Sequence, residues 1–162
     1  MLSALRRQHL MKLDVIRAAV KRIRRTDPKS LHPLAQSRFA TDGVDLFLEE
    51  VDRLVNLSKE GQLGLRECLQ GYLRRIQHAE SGLATRLYPF TRKDMTAETP
   101  TRVMIDPRIA FGRPVITGTG IPTATVFERY FAGETREDLS EDYERPVEDI
   151  DEAIRWEHAR AA

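Results

Sequence analysis

The sequence predicts a mainly α chain with short β-hairpins, an α+β fold whose C-terminal part is a three-helix, helix-turn-helix module. Three features predict it. Apolar residues recur at helical spacing in most periodic segments, the apolar runs suited to strands are short and bounded by turn residues, and residues 102–162 hold three helical stretches separated by tight turns.

Leu2 to Arg25 spaces Leu10, Leu13, Ile16, Val20 and Ile23 along one face and Arg17, Lys21 and Arg24 along another, which predicts an amphipathic basic helix with a break near Gln8 to Met11. It should end before Asp27-Pro28, because proline disfavours helical geometry in the residue before it. Thr41-Asp42-Gly43 reads as a turn, after which Val44 to Glu49 and Leu54 to Leu57 fit either a short hairpin across Glu50 to Arg53 or a helix. Glu60 to Gln77 carries Leu65, Leu69, Tyr72, Leu73 and Ile76 at helical spacing, with Ser58 as a cap and Arg74 and Arg75 placed favourably for the dipole. Ala84 to Phe90 predicts a strand, and the polar stretch Thr91 to Thr101 a linker. The chain is therefore expected to divide near residue 95, into a basic helical region with a small hairpin over 1–95 and a compact module over 102–162.

Within the module, Val103-Met104-Ile105 and Val115-Ile116-Thr117 flank a turn-rich segment from Asp106 to Gly112, which predicts a small β-ribbon. Thr123 is expected to cap a helix with Val126, Phe127, Tyr130 and Phe131 inward and Gly133 as its stop. Thr135 and Asp138 form the aspartate version of a capping box for a short helix containing Leu139 and Tyr143. Pro146 suits the start of a third helix, whose buried side is marked by Ile150, Ala153, Ile154 and Trp156.

Composition narrows the function classes. Hydrophobic residues make up 41% and charged residues 31%, and the longest uncharged stretch, Pro114 to Phe127, is interrupted by Gly and Pro, so no membrane span or signal peptide is expected. A single cysteine, Cys68, excludes a disulfide framework and a thiolate metal site and suits a reducing cytosol. The net charge of +1 hides a polarity along the chain: residues 1–30 hold nine Lys/Arg against Asp14 and Asp27, whereas residues 134–162 hold eleven Asp/Glu against four Arg. The first end can meet nucleic acid or an acidic partner, or is simply a solvated face.

Catalytic and cofactor patterns are missing. His9, His32, His78 and His158 are scattered without metal-ligand spacing, Gly118-Thr119-Gly120 lacks both phosphate-loop patterns, Cys68 has no neighbouring base in its helical pattern, and the acidic C-terminal cluster lacks an EF-hand loop. No cofactor and no metal are expected. For nucleic acid, the candidates are Arg17, Lys21, Arg24 and Arg25, with Lys29, Arg6 and Arg7 extending them, because each can neutralise a phosphate. The last helix opens with Glu148, Asp149, Asp151 and Glu152, where a DNA-reading helix would meet phosphate; these four carboxylates favour contact with a protein instead.

The string from Ile105 to Thr123, with Asp106, Pro107, Gly112, Pro114, Gly118, Thr119, Ile121 and Pro122, followed by Ala132-Gly133-Glu134-Thr135 and Glu141-Asp142-Tyr143, resembles a bacterial domain-of-unknown-function family with the pattern DPxIxxGxPxIxGTxIP. Gly120 stands where that family commonly has Arg, and Pro146 where it often has Ser or Thr. The resemblance implies a homeodomain-like fold and an association with PIN-type ribonucleases or with VapB-type antitoxins. Upstream, Leu31-His32-Pro33-Leu34, Phe39 to Gly43 and Gly61-Gln62-Leu63 resemble the central region of such antitoxins, and Leu5 to Arg25 resembles the later helices of their MerR-like DNA-binding region, the earlier part of which would precede Met1.

Together these features lead to the expectation of a cytosolic, non-catalytic, antitoxin-like protein that inhibits a PIN-type ribonuclease toxin, with operator DNA as a further partner and a homodimer implied by the resemblance. The alternative is a stand-alone DNA-binding transcriptional regulator. Arg108 and Arg113, on the turn-rich ribbon, are the candidate plugs for an acidic nuclease cleft.

Overall fold

The computed structural model describes residues 11–26, 32–92 and 99–161. The predicted stretch before Met11, the cations Arg6, Arg7 and Lys29, and residues 93–98 of the predicted linker lie outside them. Contacts divide the chain into two units, Met1–Ala84 and Thr85–Ala162.

In the first unit, α1 (Leu13–Thr26) packs on α2 (Val44–Val55), and α2 on α3 (Lys59–Leu73). The α1 helix buries Val15, Ile16, Ala19 and Ile23, while Leu13 is 38% exposed. Its inner face is thus rotated from the one that the larger apolar residues predict, with the small Ala19 fully buried on it. Residues 44–55 are helical, so the alternative hairpin across Glu50 to Arg53 does not form: Val44, Phe47, Leu48 and Val51 make one buried face at helical spacing. Thr41-Asp42-Gly43 likewise belongs to a π-helical segment, Phe39–Gly43, running into α2. A Cβ on Gly43 would stand 2.5 Å from the Phe39 ring, which is buried edge-on against Phe47. Glycine is there to admit an aromatic ring. Asn56, in the left-handed region at φ 50°, ends α2, and the Ser58 hydroxyl caps α3 by accepting from the Gly61 amide at 3.1 Å. After α3 come the short strands β1 (Ile76–His78) and β2 (Ala84–Leu87), paired as a two-stranded sheet.

The second unit pairs β3 (Val103–Met104) antiparallel with β4 (Val115–Ile116), Val103 opposite Ile116 and Met104 opposite Val115. Three helices follow: α4 (Thr123–Phe131), α5 (Arg136–Asp142) and α6 (Val147–Ala161). The α6 helix packs against α4, α5 and both strands of the ribbon, enclosing a core of Ile116, Val126, Leu139, Ile150, Ala153 and Ile154. The predicted capping box is complete, with the Thr135 hydroxyl accepting from the Asp138 amide at 3.1 Å and the Asp138 carboxylate from the Thr135 amide at 3.3 Å. Thr123 does not cap α4. Pro122 occupies the cap position, and the buried Thr123 hydroxyl turns inward to oxygens of Pro114 and Glu157. Phe131 and Tyr130, expected inward, are 83% and 40% exposed.

The chain is mainly helical with two small antiparallel hairpins, an α+β arrangement. No described helix is long and apolar enough to cross a membrane.

Candidate functional site

The most exposed large apolar side chain among the described residues is Phe111, at 95%, on the turn that joins β3 to β4. Asp106, the first residue of that turn, is fully buried. Its carboxylate accepts two bonds from the Arg108 guanidinium, at 3.0 and 2.8 Å, one from the Arg108 amide at 2.9 Å and one from Arg86 at 3.1 Å. The Arg108 side chain, doubly bonded to it, is the main reason the Asp106 carboxyl is held far below the usual carboxylate range, with the Arg108 amide and Arg86 adding to the effect. Asp106 is thereby an anchor bound through its ionised form, and Pro107 fixes the chain direction after it.

Beyond this anchor, Ala110, Phe111 and Gly112 follow one another at φ 47°, 57° and 75°. Three consecutive residues in the left-handed region reverse the chain tightly, closed by the Gly112 amide on the Ile109 carbonyl at 3.0 Å and the Arg113 amide on Ala110 at 3.1 Å. Gly112 takes this geometry freely, whereas for Phe111 it is an outlier. The Arg113 guanidinium folds back to the Ala110 carbonyl at 3.2 Å. Arg108 and Arg113 therefore flank an exposed aromatic ring, with the Arg108 side chain 69% exposed although bonded to Asp106.

The remaining motif residues shape the ribbon. The Pro114 carbonyl accepts from the Thr123 amide at 3.0 Å, Gly118 turns at φ 79°, and the Thr119 hydroxyl donates to the Ile116 carbonyl and accepts from the Ile121 amide, at 2.8 and 3.1 Å. Gly118-Thr119-Gly120 is a turn in which the Thr119 amide and hydroxyl bond within the chain. Ile121 packs on the helical core, and Pro122 pairs with Val115 at the entrance to α4.

The four carboxylates that open α6 divide. Glu148 is exposed and Asp151 partly so, the latter paired with Arg136 at 3.2 Å. Asp149 and Glu152 are 3% and 2% exposed and point into the unit. Asp149 accepts from Arg102 and, at 3.1 and 2.7 Å, from Arg145. Glu152 accepts from the Thr91 hydroxyl and, at 3.0 and 2.6 Å, from Arg92, with Arg155 3.6 Å away. These two carboxylates join α6 to distant segments of its own chain. A surface for a partner on this helix is left with Glu148 and Asp151.

The basic residues of the first unit also separate. All four predicted cations of α1 are exposed, but only Lys21 and Arg25 line a groove of about 490 Å³ between α1 and α2, together with Arg22 and Arg53, which sequence reasoning passed over, and the buried Glu50. Arg17 and Arg24 are not among its lining residues. Arg53 bonds Glu50 at 3.0 and 2.5 Å and holds its carboxyl below the ordinary range, with Arg22 and Arg25 contributing. The spacing of Glu50 and Arg53, three apart on a helix, was the available signal. Cys68 is buried, and burial pushes its thiol upward, away from thiolate chemistry. Among the described residues no three His, Cys, Asp or Glu side chains gather as metal ligands do.

One comparison with known proteins falls on the same region. Residues 103–156, from β3 into α6, match the family model described as "Protein of unknown function (DUF433)". A Mycobacterium tuberculosis protein named "Putative antitoxin VapB45" is 29% identical over 124 residues, which cover 69% of this chain and 49% of that protein. The chain thus spans about half the length of the curated relative it matches. The crystal structure of Rv2018 from Mycobacterium tuberculosis superposes with a TM-score of 0.64 at 24% identity, over 94% of this chain and 73% of that one, and so has the same fold.

Proposed function

We propose that this chain is a cytosolic, non-catalytic, antitoxin-like protein that inhibits a PIN-type ribonuclease by occupying its cleft with the turn between β3 and β4. The similarity to a protein named as an antitoxin supports the class. The observation that carries the mechanism is the turn itself: two arginines, Arg108 and Arg113, flank its tip on a base anchored by buried Asp106. A nuclease that gathers carboxylates around a metal has an acidic cleft, and a guanidinium offers such carboxylates paired, charge-assisted hydrogen bonds. Self-association through another surface is part of the same proposal.

The test is inhibition of RNA cleavage by a PIN-type ribonuclease sought among the products of the neighbouring genes. Arg108→Ala and Arg113→Ala should each weaken inhibition, and the double variant should lose most of it. Undiminished inhibition by the double variant would remove the arginine plug.

The groove between α1 and α2 favours a second reading, a DNA-binding regulator, either alone or as the operator-binding part of an antitoxin complex. Four cations around one carboxylate suit a phosphate backbone, for which affinity falls steeply with salt. Charge reversal at Lys21 and Arg25 should flatten that salt dependence, and a salt-independent interaction would speak against it. Reversal at Arg17 and Arg24 should act more weakly, because they stand outside the groove lining. In this reading the α4–α6 module, helix-turn-helix in its expected type, contributes protein contacts through Glu148 and Asp151.

A further inference from the structure

We infer that Phe111 is the anchor of a protein-docking tip, an aromatic knob that enters an apolar pocket whose rim carries the carboxylates met by Arg108 and Arg113. This rests on the ribonuclease partner proposed above and identifies the residue that turns charge attraction into a seated complex.

Two unfavourable features fall on this one residue. Its ring is 95% exposed, so almost none of its apolar area is removed from water, and its backbone sits at φ 57°, ψ 34°, a region a bulky side chain rarely occupies. Nothing in the fold of the unit uses the ring. Glycine would meet the backbone requirement better, as Gly112 does at the next position. An exposed aromatic held on a disfavoured backbone is a mark of a binding element, because such geometry persists only where the surroundings impose it. Here they do: the bidentate Arg108–Asp106 pair, the Arg86 bond and the two turn hydrogen bonds fix the base of the tip. A preorganised aromatic loses little freedom on docking, and aromatic and arginine side chains dominate interface energetics.

Phe131 provides the contrast within the same unit. It is 83% exposed, but it lies on an ordinary helix and stacks on Phe127 with ring centres 6.2 Å apart. It therefore serves as a control.

The chemistry of the partner follows from charge. Arg108 is paired with the buried Asp106, but Arg86 shares that carboxylate and residues 107–113 add Arg113 and no acid, so the tip and its base keep a positive balance and the rim that complements them is acidic. Single-stranded nucleic acid also pairs stacking with cations, but residues 85–162 hold fifteen Asp/Glu against eleven Lys/Arg, and residues 107–113 offer no second aromatic on which a base stack could continue. A protein pocket is the better match.

The experiment titrates the full chain into the purified product of the neighbouring open reading frame, the candidate ribonuclease, by calorimetry, with RNA cleavage as a second readout and circular dichroism as the check on folding. Phe111→Ala should weaken Kd by about 30-fold or more, Phe111→Leu should recover part of that, and Phe131→Ala should stay within about 3-fold of wild type. Phe111→Gly, which relieves the backbone, should lose affinity as Phe111→Ala does, which assigns the effect to the ring. If wild type binds and Phe111→Ala binds equally well, the ring is no anchor although the ribonuclease proposal stands. If wild type does not bind, both fall together. Loss of affinity for a single-stranded RNA oligonucleotide, or of a homodimer in sedimentation, with ribonuclease binding intact would overturn the inference in favour of that other occupant.

Discussion

Replacing Asp149 by Asn distinguishes a carboxylate that holds the second unit together from one that meets a partner. Asp149 is 3% exposed and accepts three hydrogen bonds, one from Arg102 and two from Arg145. Asparagine keeps one acceptor and turns an amide NH2 toward cations. Charge-assisted bonds contribute about 1.5–3 kcal/mol each, but Arg102 and Arg145 are 38% and 33% exposed, so water compensates much of the loss and a net cost of about 2 kcal/mol is expected. For a unit of this size, spanning Thr85–Ala162, that lowers Tm by about 8–16 °C. Thermal and urea unfolding followed by circular dichroism measures it, with exposed Glu148→Gln as a control expected within about 0.5 kcal/mol of wild type. If Asp149→Asn is as stable as the control and instead loses partner binding, the ion-pair assignment is refuted and Asp149 returns to the interface.

Leu139 is the one buried residue of the seven-residue α5 and is fully enclosed by the helical core, so Leu139→Ala should cost about 3 kcal/mol in chemical unfolding. A cost below about 1 kcal/mol would mean that the capping box alone holds the helix. Because Arg108 depresses the Asp106 carboxyl, the folded state binds fewer protons than the unfolded one in acid; the pair's stabilisation is complete above the ordinary aspartate value of 3.8 and should be lost progressively as pH falls below it toward the much lower folded value. Asp106→Asn should lessen that acid sensitivity, and an unchanged acid profile would contradict the pairing. Phe111→Gly should raise stability by about 0.5–1 kcal/mol, the relief of the left-handed backbone outweighing glycine's extra chain entropy, with no buried ring to lose. A lower Tm in that variant would show that the ring packs on the protein after all.

What was legible in the sequence was mostly short-range. The Ser58 cap, the Thr135–Asp138 box and the inner face of α6 at Ile150, Ala153 and Ile154 depend on residues within a few positions of one another, and the β3–β4 ribbon closes across one short turn-rich segment. Residues 44–55 satisfied two templates until Phe39 and α1 packed against them, and burial of Phe47 and Val51 selects the helix. The face of α1 was misplaced because Ala19 carries little weight in a hydrophobic pattern yet is fully buried. In the candidate site, Arg108 and Arg113 could be named from their type and the turn around them. That Asp149 and Glu152 are internal could not, because Arg145 and Arg155 nearby in sequence fit an exposed helix face equally well, and the partners Arg102 and Arg92 stand 47 and 60 residues away in the chain. Phe111 was overlooked for a related reason: in sequence it is an apolar residue in a turn, and only the fold leaves its ring without cover.

The most direct measurement is co-expression of the unmodified chain with the product of the neighbouring open reading frame, followed by size exclusion and an RNA-cleavage assay with and without the chain. A co-eluting complex in which cleavage is suppressed is the predicted result. Separate elution with undiminished cleavage would contradict the antitoxin proposal and leave the groove between α1 and α2 as the functional surface to pursue.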